Sequence, residues 1–135
     1  MISSAQEFVD LRQRNDPRAA HDNASDTVWR DVLRLFPEFK EWVIRNKTVP
    51  DSVLCYLAND PDPGIRSEIA TKRKCPPTIL ELLSHDTEES VRMRVAYNAK
   101  TPNHLLEVLR HDPCGLVAKA VEDRLSRAEG HEAVG

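Results

Sequence analysis

The stretch Val53-Leu54-Cys55-Tyr56-Leu57-Ala58-Asn59-Asp60-Pro61-Asp62-Pro63-Gly64-Ile65-Arg66-Ser67-Glu68-Ile69-Ala70 decides the fold, because its pattern recurs every 26 residues. Leu54 is followed at that interval by Leu80 and Leu106, and Leu57 by Leu83 and Leu109. Pro50, Pro76 and Pro102 keep the same spacing, as do Asp60, Asp86 and Asp112. Ile65, Val91 and Val117 form another apolar column, and Ile69, Val95 and Val121 a further one. Composition alone does not hold six such columns over three copies. A period of roughly 20–50 residues marks a chain of stacked supersecondary units, each burying its apolar side only against its neighbours. The expected fold is an all-α solenoid of about four two-helix repeats.

Each copy reads as two short helices. Helix A of the clearest copy covers roughly 51–59, with Val53, Leu54, Leu57 and Ala58 at helical spacing. Asp60-Pro61-Asp62-Pro63 is a turn, with Asp62 as an N-cap and Pro63 at the first helical position, where a missing N–H costs nothing. Helix B covers roughly 63–73, with Ile65, Ile69 and Ala70 inward, and Pro76-Pro77 stops it. The next copy runs 77–101, with Glu88 in the first turn of its helix B, and the last runs 103–126. A worn copy precedes them. Val28, Trp29, Val32 and Leu33 align at an offset of 25, Phe39 and Val43 at 26, so one residue is gained or lost near Phe36-Pro37. Its aromatics Trp29, Phe36, Phe39 and Trp42 suit the closure of an open stack end. Further upstream, residues 3–14 read as a capping helix, with Ser4 and Glu7 in a capping box and Asn15-Asp16-Pro17 as its end. Residues 18–24 are left open between a short helix and a loop. One domain is therefore expected, with a capping segment at 1–24, repeats over 25–126 and a flexible tail at 127–135.

The 135 residues carry 19 basic and 22 acidic side chains, a formal charge of −3 that argues against a general nucleic-acid binder. No apolar run approaches the roughly 18–20 residues of a membrane span. The N-terminal Met-Ile-Ser-Ser-Ala-Gln-Glu has no basic region followed by an apolar one, so no membrane association and a cytoplasmic location are expected. Cys55, Cys75 and Cys114 are odd in number and never spaced C-x-x-C, which fits reduced thiols.

Some columns look chemical. Asp60 precedes Arg66 by six residues, and Asp86 precedes Arg92 by the same step. A recurring acid and base read best as a ladder of Asp–Arg hydrogen bonds, within or between repeats. Asp112 faces Ala118 at that step, so the last rung is expected to lack its arginine. His85 and His111, one period apart with no third ligand, read as polar helix ends rather than a metal site. His21, His104 and His131 add no ligand-like spacing. Cys55 shares a column with Glu81 and Glu107 and is expected to be exposed. None of the phosphate-cradle, metalloprotease or nucleophile-elbow motifs is present, so no enzyme, cofactor, metal or small-molecule substrate is expected.

With Ile65 and Ile69 inward, the outward positions of helix B fall at 67, 68, 71 and 72. Projected through the period, they give one stripe of Glu41, Ser67, Met93 and Lys119. A second holds Arg45, Thr71, Tyr97 and Asp123, and a third Trp42, Glu68, Arg94 and Ala120. These stripes vary where the core columns repeat, as a recognition surface on a regular scaffold does. Trp42, Arg45, Glu68, Thr71, Met93, Arg94 and Tyr97 are the candidate partner-binding residues, several of them types enriched in binding hot spots. The alternative is a nucleic-acid-binding edge of Arg45, Lys47, Lys72, Arg73, Lys74 and Lys100. Cations at helix C-termini are also favoured by the helix dipole alone.

The stretch 53–70, and Val91-Arg92-Met93-Arg94-Val95-Ala96-Tyr97-Asn98-Ala99-Lys100-Thr101-Pro102, resemble the leucine-rich repeat variant, a HEAT-like helical repeat. The resemblance covers about residues 28–125; Ala99 stands where the family turn carries proline, and Lys72-Arg73-Lys74-Cys75-Pro76 replaces that turn one copy earlier. It implies a right-handed superhelix of short helices, common in bacteria and mostly of unassigned role. The clustered cysteines of an iron–sulfur module, which some members carry, do not precede the repeats here. The chain is expected to bind another protein through its helix B face without catalysis, as inhibitors and toxin-immunity proteins of this size do.

Overall fold

The computed structural model describes residues 1–134, with side chains as far as Arg127. The described residues are all-helical apart from turns and one isolated backbone bridge between Ile2 and Ala24. None of the described helices is long and apolar enough to cross a membrane. Contacts cluster into two compact units, Met1–Ile69 and Ala70–Gly135, with the boundary inside one helix.

The first unit contains α1 (Ala5–Gln13), α2 (Arg18–His21), α3 (Asp26–Leu35), a 3-10 turn (Pro37–Phe39), α4 (Lys40–Arg45) and α5 (Asp51–Leu57), and reaches into α6 (Pro63–Thr71). The 3-10 turn lies where the sequence offset changes from 25 to 26. Of the segment 18–24, open between helix and loop, Arg18–His21 form α2 and the remaining three residues are not helical, so the N-terminal segment is itself a helix pair. It packs as the later pairs do, α1 on α3 and α2 on α4. Ser4 caps α1 as expected, its Oγ accepting the Glu7 N–H at 3.1 Å. The other half of the capping box is displaced: the Glu7 carboxylate accepts from the Ser3 N–H at 2.9 Å and the Ser3 hydroxyl at 2.7 Å.

The second unit contains α7 (Pro77–Ser84), α8 (Glu89–Tyr97), α9 (Asn103–Arg110) and α10 (Gly115–Val134). Here α7 packs on α9 and α8 on α10. Glu88 is the N-cap residue of α8 rather than part of its first turn. Beyond Arg127 only the helical backbone of α10 is described, and the flexibility expected of residues 127–135 falls otherwise outside the described residues.

The repeated columns are the core. Leu54, Leu57, Leu80, Leu83, Leu106 and Leu109 are all buried, as are Ile69, Val91, Val95, Val117 and Val121. Ile65 is the exception and is half-buried. The proline column has one job: Pro50, Pro76 and Pro102 are the N-cap residues of α5, α7 and α9, with extended ψ of 155°, 144° and 150°. Their fixed φ pre-sets the entry to helix A. His85 and His111 are the exposed C-cap residues of α7 and α9.

The acid–base ladder exists, with different pairing. Arg66 and Arg92 each bond the backbone carbonyl of the aspartate six residues before them. Arg66 Nη1 donates to the Asp60 carbonyl at 2.8 Å, and Arg92 Nη1 to the Asp86 carbonyl at 2.7 Å. For Arg92 the carboxylate partner lies 20 residues further on. Arg92 grips Asp112 bidentately, Nε to Oδ2 at 2.8 Å and Nη2 to Oδ1 at 3.2 Å. Asp112 therefore has its arginine after all, contributed by the repeat before it. In the first unit Lys40, one period before Arg66, plays this part, with Nζ 2.7 Å from Asp60 Oδ2. Each aspartate also closes its own turn: Asp60, Asp86 and Asp112 accept the N–H two residues on at 2.9, 2.9 and 2.8 Å. Burial alone would push the Asp60 carboxyl up, but Lys40 and the Asp62 N–H outweigh it and hold it below its ordinary value.

A second periodic clip was not foreseen. The last carbonyls of a helix have no partner inside it. Asn98, buried, donates through Nδ2 to the Ala70 and Lys72 carbonyls at 2.8 and 3.0 Å, at the C-terminal end of α6. Asn46, one column position and two periods earlier, does the same to Ala19 and Asp22 around the end of α2, at 2.9 and 3.0 Å. Arg124 takes the role for α8, donating to the carbonyls of Ala96, Asn98 and Ala99 at 3.0, 2.8 and 3.0 Å.

Three stability outcomes follow from this packing. Leu83→Ala leaves a cavity at a site 1% exposed and is expected to cost about 3 kcal/mol in urea unfolding. The Arg92 and Asp112 side chains are 14% and 4% exposed, so Asp112→Ala strands a guanidinium and is expected to cost about 3 kcal/mol. Arg92→Met combined with Asp112→Leu should recover much of that loss in the same assay, because no charge is then stranded.

Candidate functional site

In the first unit, Trp42, Arg45 and Glu68 come together. Trp42 lies half-buried on α4. Arg45, one turn on, places its guanidinium carbon 4.9 Å from the Trp42 ring centroid. Its Nη2 is ion-paired with Glu41 on the same helix and lies 3.4 Å from Glu68 Oε1. Arg12 of α1 adds what the sequence did not suggest: its guanidinium carbon lies 3.5 Å from the same ring centroid. Arg12 Nη1 also donates to Asn15 Oδ1 at 2.8 Å. Asn15 has a left-handed φ of 56°, a conformation that asparagine tolerates better than most residues. This lets the chain turn back into α2. Arg12, Asn15, Pro17, Ala20, Trp42 and Arg45 line much of a cleft of about 310 Å³.

In the second unit, α8 carries Met93, Arg94 and Tyr97. Met93 is half-buried, Arg94 is exposed and Tyr97 is 65% exposed. Tyr97 borders a cleft of about 290 Å³ together with Ala120, Asp123, Arg124 and Arg127. Ala120, assigned to an outward stripe, is buried instead. Thr71, the last residue of α6, is exposed.

The basic-edge residues differ in their surroundings. Lys47, Arg73, Lys74 and Lys100 are exposed. Lys72 is half-buried, and burial, with the like charge of Lys74, holds its ammonium below its ordinary pKa. Arg45 is already engaged by two glutamates. The edge therefore offers fewer open cations than its sequence suggests.

Cys55 is exposed, Cys75 buried and Cys114 half-buried, and no disulfide links them. Among the described residues, no group of three or more His, Cys, Asp or Glu side chains is placed to hold a metal.

Glu7 lies in the first turn of α1, the helix that carries Arg12. The Ser3 hydroxyl and N–H, with Arg18 Nη2 at 3.2 Å, hold the Glu7 carboxyl down to about 2, against an ordinary 4.5. Since the folded value is the lower one, this clamp contributes stability above pH 4.5 and loses it as pH falls toward 2. Thermal melts of wild type and Glu7→Gln should therefore differ near neutral pH and converge through that acid window. Parallel curves would show that Glu7 is not clamped.

Comparison with known proteins finds no matching family model, no matching curated protein and no matching solved structure.

Proposed function

We propose that the chain is a short right-handed α-solenoid of four 26-residue two-helix repeats, related to the leucine-rich repeat variant and HEAT-like families, that binds another protein in the cytoplasm without catalysis. The period, the buried columns and the packing of α7 on α9 and α8 on α10 support the architecture.

One observation carries the functional reading: the contrast between the two sides of α8. Val91 and Val95 are 0% exposed, in columns that repeat. Arg94 and Tyr97 face outward in columns that do not repeat, and no described hydrogen bond or ion pair engages the Arg94 side chain. Exposed arginine and tyrosine with no work to do inside the chain are the side chains that anchor protein interfaces. Inhibition, of the kind a toxin-immunity protein exerts, is the role such a small binder fits.

The test is affinity capture from native host lysate with wild type, Arg94→Ala/Tyr97→Ala and Arg73→Glu/Lys74→Glu, washed at moderate and high salt, with and without nuclease. The expected result is one stoichiometric protein that survives high salt and nuclease and is lost with the α8 double variant. Loss on nuclease treatment, steep salt dependence and sensitivity to the charge-reversed variant would overturn this reading in favour of nucleic acid.

A further inference from the structure

We propose that the cleft beside Trp42 takes a carboxylate carried next to an apolar side chain of the bound protein, with Arg12 as the group that receives the carboxylate. The proposal rests on the protein-binding reading above and adds the chemistry of the partner segment.

Charge is the first argument. Arg45 is met by Glu41 and Glu68. The Asp16 carboxylate, also at the cleft, accepts the Arg18 N–H at 3.0 Å. Arg12 is different: its side chain bonds to the neutral Asn15 amide, and among the described residues no carboxylate pairs with it. Among the described residues, Arg12 is the cation of the cleft that no carboxylate meets, while Asp16 turns its carboxylate to the Arg18 backbone N–H.

Geometry is the second argument. Stacking on Trp42 at 3.5 Å uses the face of the Arg12 guanidinium and fixes its plane. Nη1 is occupied by Asn15, while no described hydrogen bond engages Nε or Nη2. Those two donors lie side by side in the guanidinium plane and match the two oxygens of a carboxylate. Holding the fork in place beforehand lowers the ordering cost of binding.

The walls supply the third argument. Pro17, Ala19, Ala20 and the Trp42 ring give the cleft an apolar lining. At about 310 Å³ it sits at the small end of ligand pockets and suits one side chain rather than a cofactor. A guanidinium already covers the indole, so the ring is not open for a stacking base.

The test uses the full chain and 1H–15N NMR, following the indole N–H of Trp42 and the Nε–H of Arg12. The probes are N-acetyl-L-leucine at neutral pH, its neutral amide and inorganic phosphate. The carboxylate probe is expected to shift both signals saturably in the millimolar range, and the amide to bind at least about tenfold more weakly. Arg12→Gln should abolish the shift at Trp42, and Arg12→Lys should weaken it by keeping the charge without the fork. Glu81→Gln, at an exposed position of α7 away from the cleft, should leave it unchanged. The Trp29 indole signal, from the core, reports that each variant is folded. Equal binding of amide and acid, equal binding of phosphate, no saturable shift, or wild-type behaviour of Arg12→Gln would each overturn the assignment. Probe binding without protein capture would overturn a protein as the occupant. Capture without probe binding would overturn the cleft alone.

Discussion

An aspartate that closes its own turn while holding a cation from the preceding helix pair sets the spacing on which the rest depends. Asp112 accepts the Cys114 N–H and the Arg92 guanidinium together; Asp60 accepts the Asp62 N–H and Lys40. Arg92 in turn holds the Asp86 carbonyl, so one guanidinium ties the start of its own helix to the turn of the next pair. A buried charge pair earns little net stability against an apolar substitute, but breaking half of it is costly. Its better-attested effect is to allow one register and penalise others. A 26-residue repeat of short helices needs that, because a leucine column by itself tolerates slippage.

At the opposite ends of the B helices the problem is unsatisfied carbonyls, and a different column solves it. Asn46, Asn98 and Arg124 belong to one position of the repeat and donate to the closing turn of an earlier helix. Asparagine does this with an amide and arginine with two guanidinium nitrogens, so at these three positions the function is kept while the residue type changes. In the second unit α8 is thus fastened to α10 and its turn at both ends, by Arg92 on Asp112 and by Arg124 on the closing carbonyls of α8, and the outward side chains between those fastenings are released from structural duty. Arg94 and Tyr97 occupy that released ground on α8.

The N-terminal helix pair follows the same packing with fewer of the markers. α1 and α2 stack on α3 and α4, and Asn46 clips α2 as Asn98 clips α6, although α2 has only four residues. Its short helices leave a gap that Trp42 and two arginines partly fill. The aromatic cluster expected to seal this end divides its work. Trp29 is fully buried edge-on to Phe8, with ring centroids 5.3 Å apart, while Trp42 faces the cleft.

Helix borders and core columns were legible in the sequence, because they rest on local physics repeated three times. Proline fixes its own φ, aspartate bonds two residues along its own backbone, and leucines at helical spacing must be buried together. The worn copy and the fate of 18–24 were less legible, since an indel and a four-residue helix leave little periodic signal. Which partner each polar side chain meets was a tertiary decision. Asp86 and Arg92 recur at a fixed step, yet Arg92 takes the Asp86 carbonyl and gives its fork to Asp112, 20 residues away. Arg12 carries no motif at all, and nothing near it in the chain points to Trp42. The sequence by itself determined the repeat and its buried side, because burial is periodic. Only the packing of α1 on α3 and of α2 on α4 decided that Arg12 lies on Trp42, because a contact between residues 30 apart depends on how helices stack and not on how either one forms.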